Sequence, residues 1–260
     1  MIQLKTLLAA LMLILLPQTI GAAEANDSVR VLWIGNSYTF YNDLPRMVQE
    51  IGATQNVKYA MTTVTKGGER LSGHLQNPRL IELLAQGGWD YVIVQEFSST
   101  PAYSTTTVVN ETYPYAHTID SLAMAGSPGA KVIFYMTWGH KYGNTRQTPY
   151  PLDDTYTAMQ DRLKLSYLEM AYDNDAWCAP VGMAWQTVRR EHPHWELYKA
   201  DNFHPSIIGS YLAANVIFTT MFRKPYTTYV VYTIPARVAH SLQETAQQTV
   251  MKNLKLLNIK

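Results

Sequence analysis

Short apolar runs alternate with amphipathic stretches along most of the chain. Residues 29–34 (Val-Arg-Val-Leu-Trp-Ile) form an apolar run that stops at Gly35. Similar short runs recur at 91–94 and 132–136, each bounded by turn residues, as expected of strands buried on both faces. Residues 57–64 read as a weaker strand, because Tyr-Ala-Met-Thr interrupts the apolar pattern, and 177–181 as a last core strand limited by Pro180. Between the runs, helical spacing appears at 44–51, at 78–86 before Gly87-Gly88, at 108–125, and at 154–172. Two closing helices are predicted over 206–222 and 238–257. Strands alternating with helices imply βαβ units, a mainly parallel sheet and helices on both faces. With no linker rich in Gly, Pro or Ser, residues 28–260 read as a single domain.

The first segment breaks this pattern. Lys5 precedes an apolar stretch over 6–16, too short for a membrane span, followed by Pro17 and the small residues Gly21, Ala22 and Ala23. This predicts a secretory signal over residues 1–23, cleaved near Ala23 or Ala25, and hence a secreted or periplasmic bacterial protein. A cysteine near the cleavage point, which a lipoprotein anchor needs, is missing, so no stable membrane anchor is expected. The chain has 260 residues, 21 Lys+Arg and 20 Asp+Glu, with formal net charge +1. No clustered basic block exists, which argues against a nucleic-acid partner. The single cysteine, Cys178, excludes an internal disulfide and a cysteine-based metal site, and reads as an inert buried thiol.

In a parallel sheet, ligands bind beyond the carboxyl ends of the strands. Chemistry-bearing residues fall there repeatedly. Gly35-Asn36-Ser37-Tyr38-Thr39 follows the first run: Ser37 can present its hydroxyl on a sharp strand-to-helix turn, or simply cap the helix. Lys66-Gly67-Gly68-Glu69 follows the second, where paired glycines let a backbone amide approach a ligand, or make an ordinary turn. Gln95 follows the third and reads either as an amide donor to an oxyanion or as a buried amide tying loops together. Asp201-Asn202-Phe203-His204-Pro205-Ser206 precedes an apolar helix. There Asp201 can hold the Nδ1–H of His204 and leave Nε2 free as a base, or the stretch can be a capping turn with a surface histidine. A serine, an adjacent base and an orienting acid are what activated-serine acyl transfer requires.

These blocks resemble the SGNH (GDSL-like) hydrolase superfamily. The resemblance is closest to a secreted bacterial branch whose first block reads Gly-Asn-Ser-Tyr-Thr, here Gly35 to Thr39. Asn36 stands where the better-known pattern has Asp. The resemblance implies a three-layer α/β/α sandwich with a flavodoxin-like sheet, and ester hydrolysis without metal or organic cofactor. It implies Ser37 as nucleophile, His204 as base, Asp201 as orienting acid, and the Ser37 and Gly68 amides in the oxyanion hole. Gly67 is the alternative to Gly68. The Asn of the family's third-block loop is missing; Gln95 is taken in its place, with Ser98 or Ser99 as the alternatives.

Secreted members often deacylate carbohydrates, so the expected substrate is a small-molecule or polysaccharide ester, most simply an acetylated sugar. Tyr38, Tyr103, Trp138 and Tyr142 follow strand ends and offer sugar-stacking rings, although Trp138 and Trp185 also read as packing residues. Lys66 or Arg70 could meet an acidic sugar, or be plain surface charges. An acyltransferase or lipolytic esterase on the same triad is the alternative enzyme. A non-catalytic glycan-binding protein is the alternative of another class, against which the intact Ser37, Asp201 and His204 argue. Glu191 with His192-Pro193-His194 is read as a solvated turn rather than a metal cluster, and His74, His117 and His140 as isolated.

Overall fold

The computed structural model describes residues 28–144, 153–228 and 230–260. Five strands form its centre: β1 (Val29–Gly35), β2 (Tyr59–Thr65), β3 (Tyr91–Val94), β4 (Lys131–Tyr135) and β5 (Trp177–Ala179). They pair in parallel in the order β2-β1-β3-β4-β5, with Ile34 opposite Val64 on one side and Val94 on the other. The inner strands are continuous apolar runs because both faces are covered: Val31 to Ile34, Val92 to Val94 and Ile133 to Tyr135 are all buried. Each buried Val, Leu or Ile contributes about 1.5–3 kcal/mol over its exposed state. β2 lies at the sheet edge, and only Val64 on it is fully buried, which explains its weaker sequence signal.

The helices, in chain order, are α1 (Ser37–Phe40), α2 (Leu44–Ala53), α3 (Leu71–His74), α4 (Pro78–Gln86), α5 (Thr105–Glu111), α6 (Tyr113–Gly126), α7 (Tyr156–Asp173), α8 (Val181–Glu191), α9 (Ile207–Phe222) and α10 (Ala236–Met251). α2, α8, α9 and α10 pack together in one layer, and α4, α6 and α7 in the other. The result is the α/β/α sandwich of the SGNH fold. α9 is apolar all round and is buried along almost its whole length, as the core helix of its layer.

Three elements differ from the sequence reading. The helix expected over 108–125 is two helices, α5 and α6, broken at Thr112 just before Pro114, whose ring removes a backbone donor and is tolerated only in the first turn. The strand expected over 177–181 ends at Ala179, because Pro180 closes the ladder and starts α8, a helix the sequence reading lacked. α10 stops at Met251, short of the expected 257. The expected leader and its cleavage point lie outside the described residues. No helix among the described residues is long and apolar enough to cross a membrane.

The strand order reverses between β1 and β3, so the loops leaving these strands diverge and open a crevice at their carboxyl ends. Ser37 leaves β1 on one side of this crevice, and the segment from Gln95 to Ser99 leaves β3 on the other.

Candidate active site

Ser37 opens α1 directly after Gly35 and Asn36. The Asn36 side chain caps the helix by accepting from the Tyr38 amide at 3.1 Å and donates to the Glu69 carbonyl at 3.0 Å, tying the Ser37 turn to the Gly67-Gly68 loop. Gly35 has no room for a side chain: a Cβ there would lie 2.4 Å from Thr39 Oγ1 and 2.6 Å from Gln95 Oε1. His74 is buried beneath the turn and donates Nε2–H to the Gly35 carbonyl at 2.9 Å; burial holds its ring below the usual imidazole range, in the neutral form.

The second half of the site is the turn before α9. Asp201 Oδ1 accepts from the amides of Phe203 and His204 at 3.1 and 2.9 Å, and Oδ2 from His204 Nδ1 at 2.8 Å. This places the proton on Nδ1 and leaves Nε2 as an acceptor, 2.9 Å from Ser37 Oγ. Burial works to raise the Asp201 carboxyl, but the bonds from the His204 ring and the two amides outweigh it and hold the group below its ordinary value. The geometry therefore joins Ser37, His204 and Asp201 in one hydrogen-bonded line across 167 positions of sequence. The His204 ring lies between Tyr41 and Phe203, with centroids at 4.3 and 4.2 Å.

A cavity of about 250 Å³ opens beside Ser37 and His204, and Gly68, Phe97, Ser98, Ser99, His140, Asn144 and Phe203 contribute to its wall. Gly68 has φ +69°, a left-handed conformation that favours glycine, and a Cβ there would meet no atom within 4 Å. It lines the same cavity as Ser37. A groove of about 450 Å³ lies elsewhere, lined by residues of α8 and α10 such as Arg190, Glu244 and Gln248, away from the Ser37–His204 pair.

The structure corrects several sequence-predicted site residues. Gln95 is fully buried behind the Ser37 turn, not in the cavity. Its Oε1 accepts from the Asn36 amide and Thr39 Oγ1 at 2.9 and 2.8 Å, and its Nε2 donates to Asn36 Oδ1 and the Glu96 carbonyl. With both ends committed it is a tie between loops, not an oxyanion donor. Ser99 shares a 3.0 Å bond with the Tyr103 hydroxyl, whereas Ser98 faces the cavity beside His140 Nε2, at 3.4 Å. Trp138 is fully buried, stacked between Tyr38 at 4.4 Å and Trp185 at 3.9 Å, so neither it nor Tyr38 can present a ring face to a sugar. Tyr103 lies behind Ser99, outside the cavity wall. Lys66 pairs with Glu69, and Arg70 with Glu111. His192 stacks on Trp195 at 3.8 Å. Sequence reasoning missed Phe97, Phe203 and Asn144, and treated His140 as isolated; only the fold's crossings bring these four together.

The site thus lies where the parallel sheet opens between β1 and β3, with Ser37 leaving β1 and the Asp201–His204 turn entering α9. No protein-family model matches the chain, and no curated protein does. Solved structures do. The chain is similar to a protein from Slackia heliotrinireducens assigned to the SGNH hydrolases, at 29% identity over 75% of this chain and 99% of that one, TM-score 0.61. It is also similar in fold to an acetyl xylan esterase from Geobacillus stearothermophilus, solved as a single-substitution variant, at 14% identity over 77% and 97%, TM-score 0.51. A phospholipase A1 from Streptomyces albidoflavus is similar at 14% identity over 74% and 98%, TM-score 0.50. The first of these supports a hydrolase, and the other two show the shared fold.

Proposed function

We infer that the chain is a serine ester hydrolase working through an acyl-enzyme on Ser37. The carrying observation is the line Asp201 Oδ2–His204 Nδ1–His204 Nε2–Ser37 Oγ, with 2.8 and 2.9 Å contacts at its two ends. His204 Nε2 takes the Ser37 proton as Oγ attacks the ester carbonyl, and Asp201 balances the imidazolium that forms. The negative oxygen faces the amides of Ser37 and Gly68, the first at a helix start where the ladder leaves backbone donors unsatisfied. Ser98 is the third donor, as the hydroxyl on the β3 side of the cavity. His204 then hands its proton to the departing alcohol. Water attacks the acyl-enzyme by the same route in reverse, and the carboxylic acid leaves.

The most fitting substrate is an acetylated carbohydrate. A cavity of about 250 Å³ is small for a ligand pocket and suits a short acyl group. Phe40, exposed and beside Gly67 of the loop that carries Gly68, offers a ring face to a sugar outside the cavity. The unit doing this is residues 28–260, exported to the periplasm or beyond after loss of the leader. Purified enzyme should release p-nitrophenol from the acetate ester, prefer acetate over octanoate, and lose at least about a thousandfold in rate as Ser37→Ala. Turnover unchanged in Ser37→Ala would refute the nucleophile. Preference for octanoate would favour the lipolytic alternative, and binding of polysaccharide without turnover the glycan-binding one.

A further inference from the structure

The two halves of the site are far apart in sequence, and their spacing rests on few connections. One of these is Asn42, in the turn between α1 and α2. Its backbone is left-handed (φ 53°, ψ 22°), and Asp43 after it is left-handed too (φ 53°, ψ 51°). Two consecutive non-glycine residues in this region are strained, and persist only where the surroundings impose them. Asn is among the residues that tolerate the conformation best. Here it aims the Asn42 amide at the turn before α9. Nδ2 donates to the Pro205 carbonyl at 3.2 Å, the Ser206 carbonyl at 3.1 Å and Ser210 Oγ at 2.8 Å, across 163 to 168 positions.

The place of these acceptors matters more than their number. Pro205 directly follows His204, so the bond fixes the backbone on the far side of the imidazole from the Asp201 clamp. Ser206 is the N-cap of α9, whose Oγ accepts from the Gly209 amide at 3.2 Å, and Ser210 lies one turn further into that helix. Tyr41, next to Asn42, lies against the His204 ring. Ser37 is five residues upstream on the same short segment. One side chain thus ties the segment carrying the hydroxyl to the segment carrying the base.

We propose that Asn42 is a positioning residue that sets the distance between Ser37 Oγ and His204 Nε2. It touches neither substrate nor reacting atoms. The proposal rests on the reading of Ser37 as nucleophile, and its test separates the two. A shift of about 1 Å between a nucleophile and its base can cost as much as a hundredfold in rate. Asn42→Gly keeps the left-handed turn available and removes only the amide. It should lower kcat for p-nitrophenyl acetate by about 10–100-fold with KM within about twofold, and slow labelling of Ser37 by a fluorophosphonate to a similar degree. Ser210→Ala, which removes one of the three acceptors, should lower kcat about two- to fivefold in the same pattern.

A folded Asn42→Gly with wild-type kcat and labelling rate overturns the proposal, as does a variant that loses melting temperature alone. Should Asn42→Gly fail to fold, an unchanged kcat in Ser210→Ala overturns it. Wild-type turnover in Ser37→Ala instead overturns the reading of the site.

Discussion

Trp138 donates its indole N–H to the carbonyl of Phe203 at 3.0 Å, one residue before His204. The same ring stacks nearly parallel on Tyr38, one residue after Ser37. Trp138 therefore ties both halves of the site from beneath, where the sequence had suggested a ring for sugar. Trp138→Phe keeps an aromatic ring in the stack and deletes the donor. It removes one hydrogen bond to the partly buried Phe203 carbonyl, at about 0.5–1.5 kcal/mol. The expected result is a lower melting temperature together with a fall in kcat of roughly tenfold, read by calorimetry and by aryl-acetate turnover. A loss confined to KM would count against this role.

Asp201→Asn tests the orientation of the base. The side-chain oxygen can still accept from the amides of Phe203 and His204, so the turn should persist. The amide nitrogen facing Nδ1 favours the tautomer with the proton on Nε2, where it can no longer accept from Ser37. Turnover should fall by about 10³–10⁴ with little change in melting temperature. Imidazole nitrogen shifts in the NMR spectrum would report the switched tautomer. A variant within tenfold of wild type would show that the carboxylate is dispensable.

The inner strands were legible because burial on both faces makes them unbroken apolar runs, as Val31 to Ile34 and Ile133 to Tyr135 show. The strand-end rule pointed to Ser37, which leaves β1, whereas His204 follows α8 rather than a strand and was read from the Asp-x-x-His spacing. What stayed hidden depended on direction or on long-range crossings. Gln95 follows an apolar strand whichever way its amide points, and only packing sends it behind Asn36 rather than into the cavity. The break before Pro114 was written in the sequence, but apolar spacing continued across it. α8 was masked because its start coincides with the Pro180 that ends β5. Phe97, His140, Asn144 and Phe203 leave different strands or loops, so no local pattern joins them. The reach of Asn42 requires a left-handed turn that apolar periodicity does not encode.

Ser98 and Gln95 make opposite predictions. Ser98→Ala removes a cavity-facing hydroxyl and should lower kcat by about 10²-fold while stability stays near wild type, the scale of losing one oxyanion donor. Gln95→Ala removes a fully buried amide that closes four bonds around the Ser37 turn. It should destabilise the fold by about 2–4 kcal/mol, seen as a fall in urea midpoint, with activity lost through unfolding and not through a specific rate effect. Equal losses of stability in both variants would remove the distinction drawn here between them.

Glu96 is a buried carboxyl next to Phe97 of the cavity wall, and pH tests its role directly. It lies behind Phe97 and accepts from the amides of Phe97 and Leu71. Burial lifts its carboxyl to about 7, against the opposing pull of those amides and of Arg70. The unfolded chain releases this proton at about 4.5, so between that value and about 7 the folded chain binds more protons than the unfolded one. The stabilising contribution is therefore complete below the window and is lost as pH rises through it, at about 1.4 kcal/mol for each pH unit crossed. Glu96→Gln stays neutral throughout and keeps an oxygen for the two amides. Other titrating groups are common to both proteins and cancel in the difference. Measured from pH 4 to 8, the melting temperature of wild type should fall relative to Glu96→Gln by roughly 2–4 °C for each kcal/mol lost, with most of the divergence complete by pH 7. Parallel curves would mean that the carboxyl titrates in the folded protein as it does in the unfolded chain, and that burial does not hold it as a neutral acid.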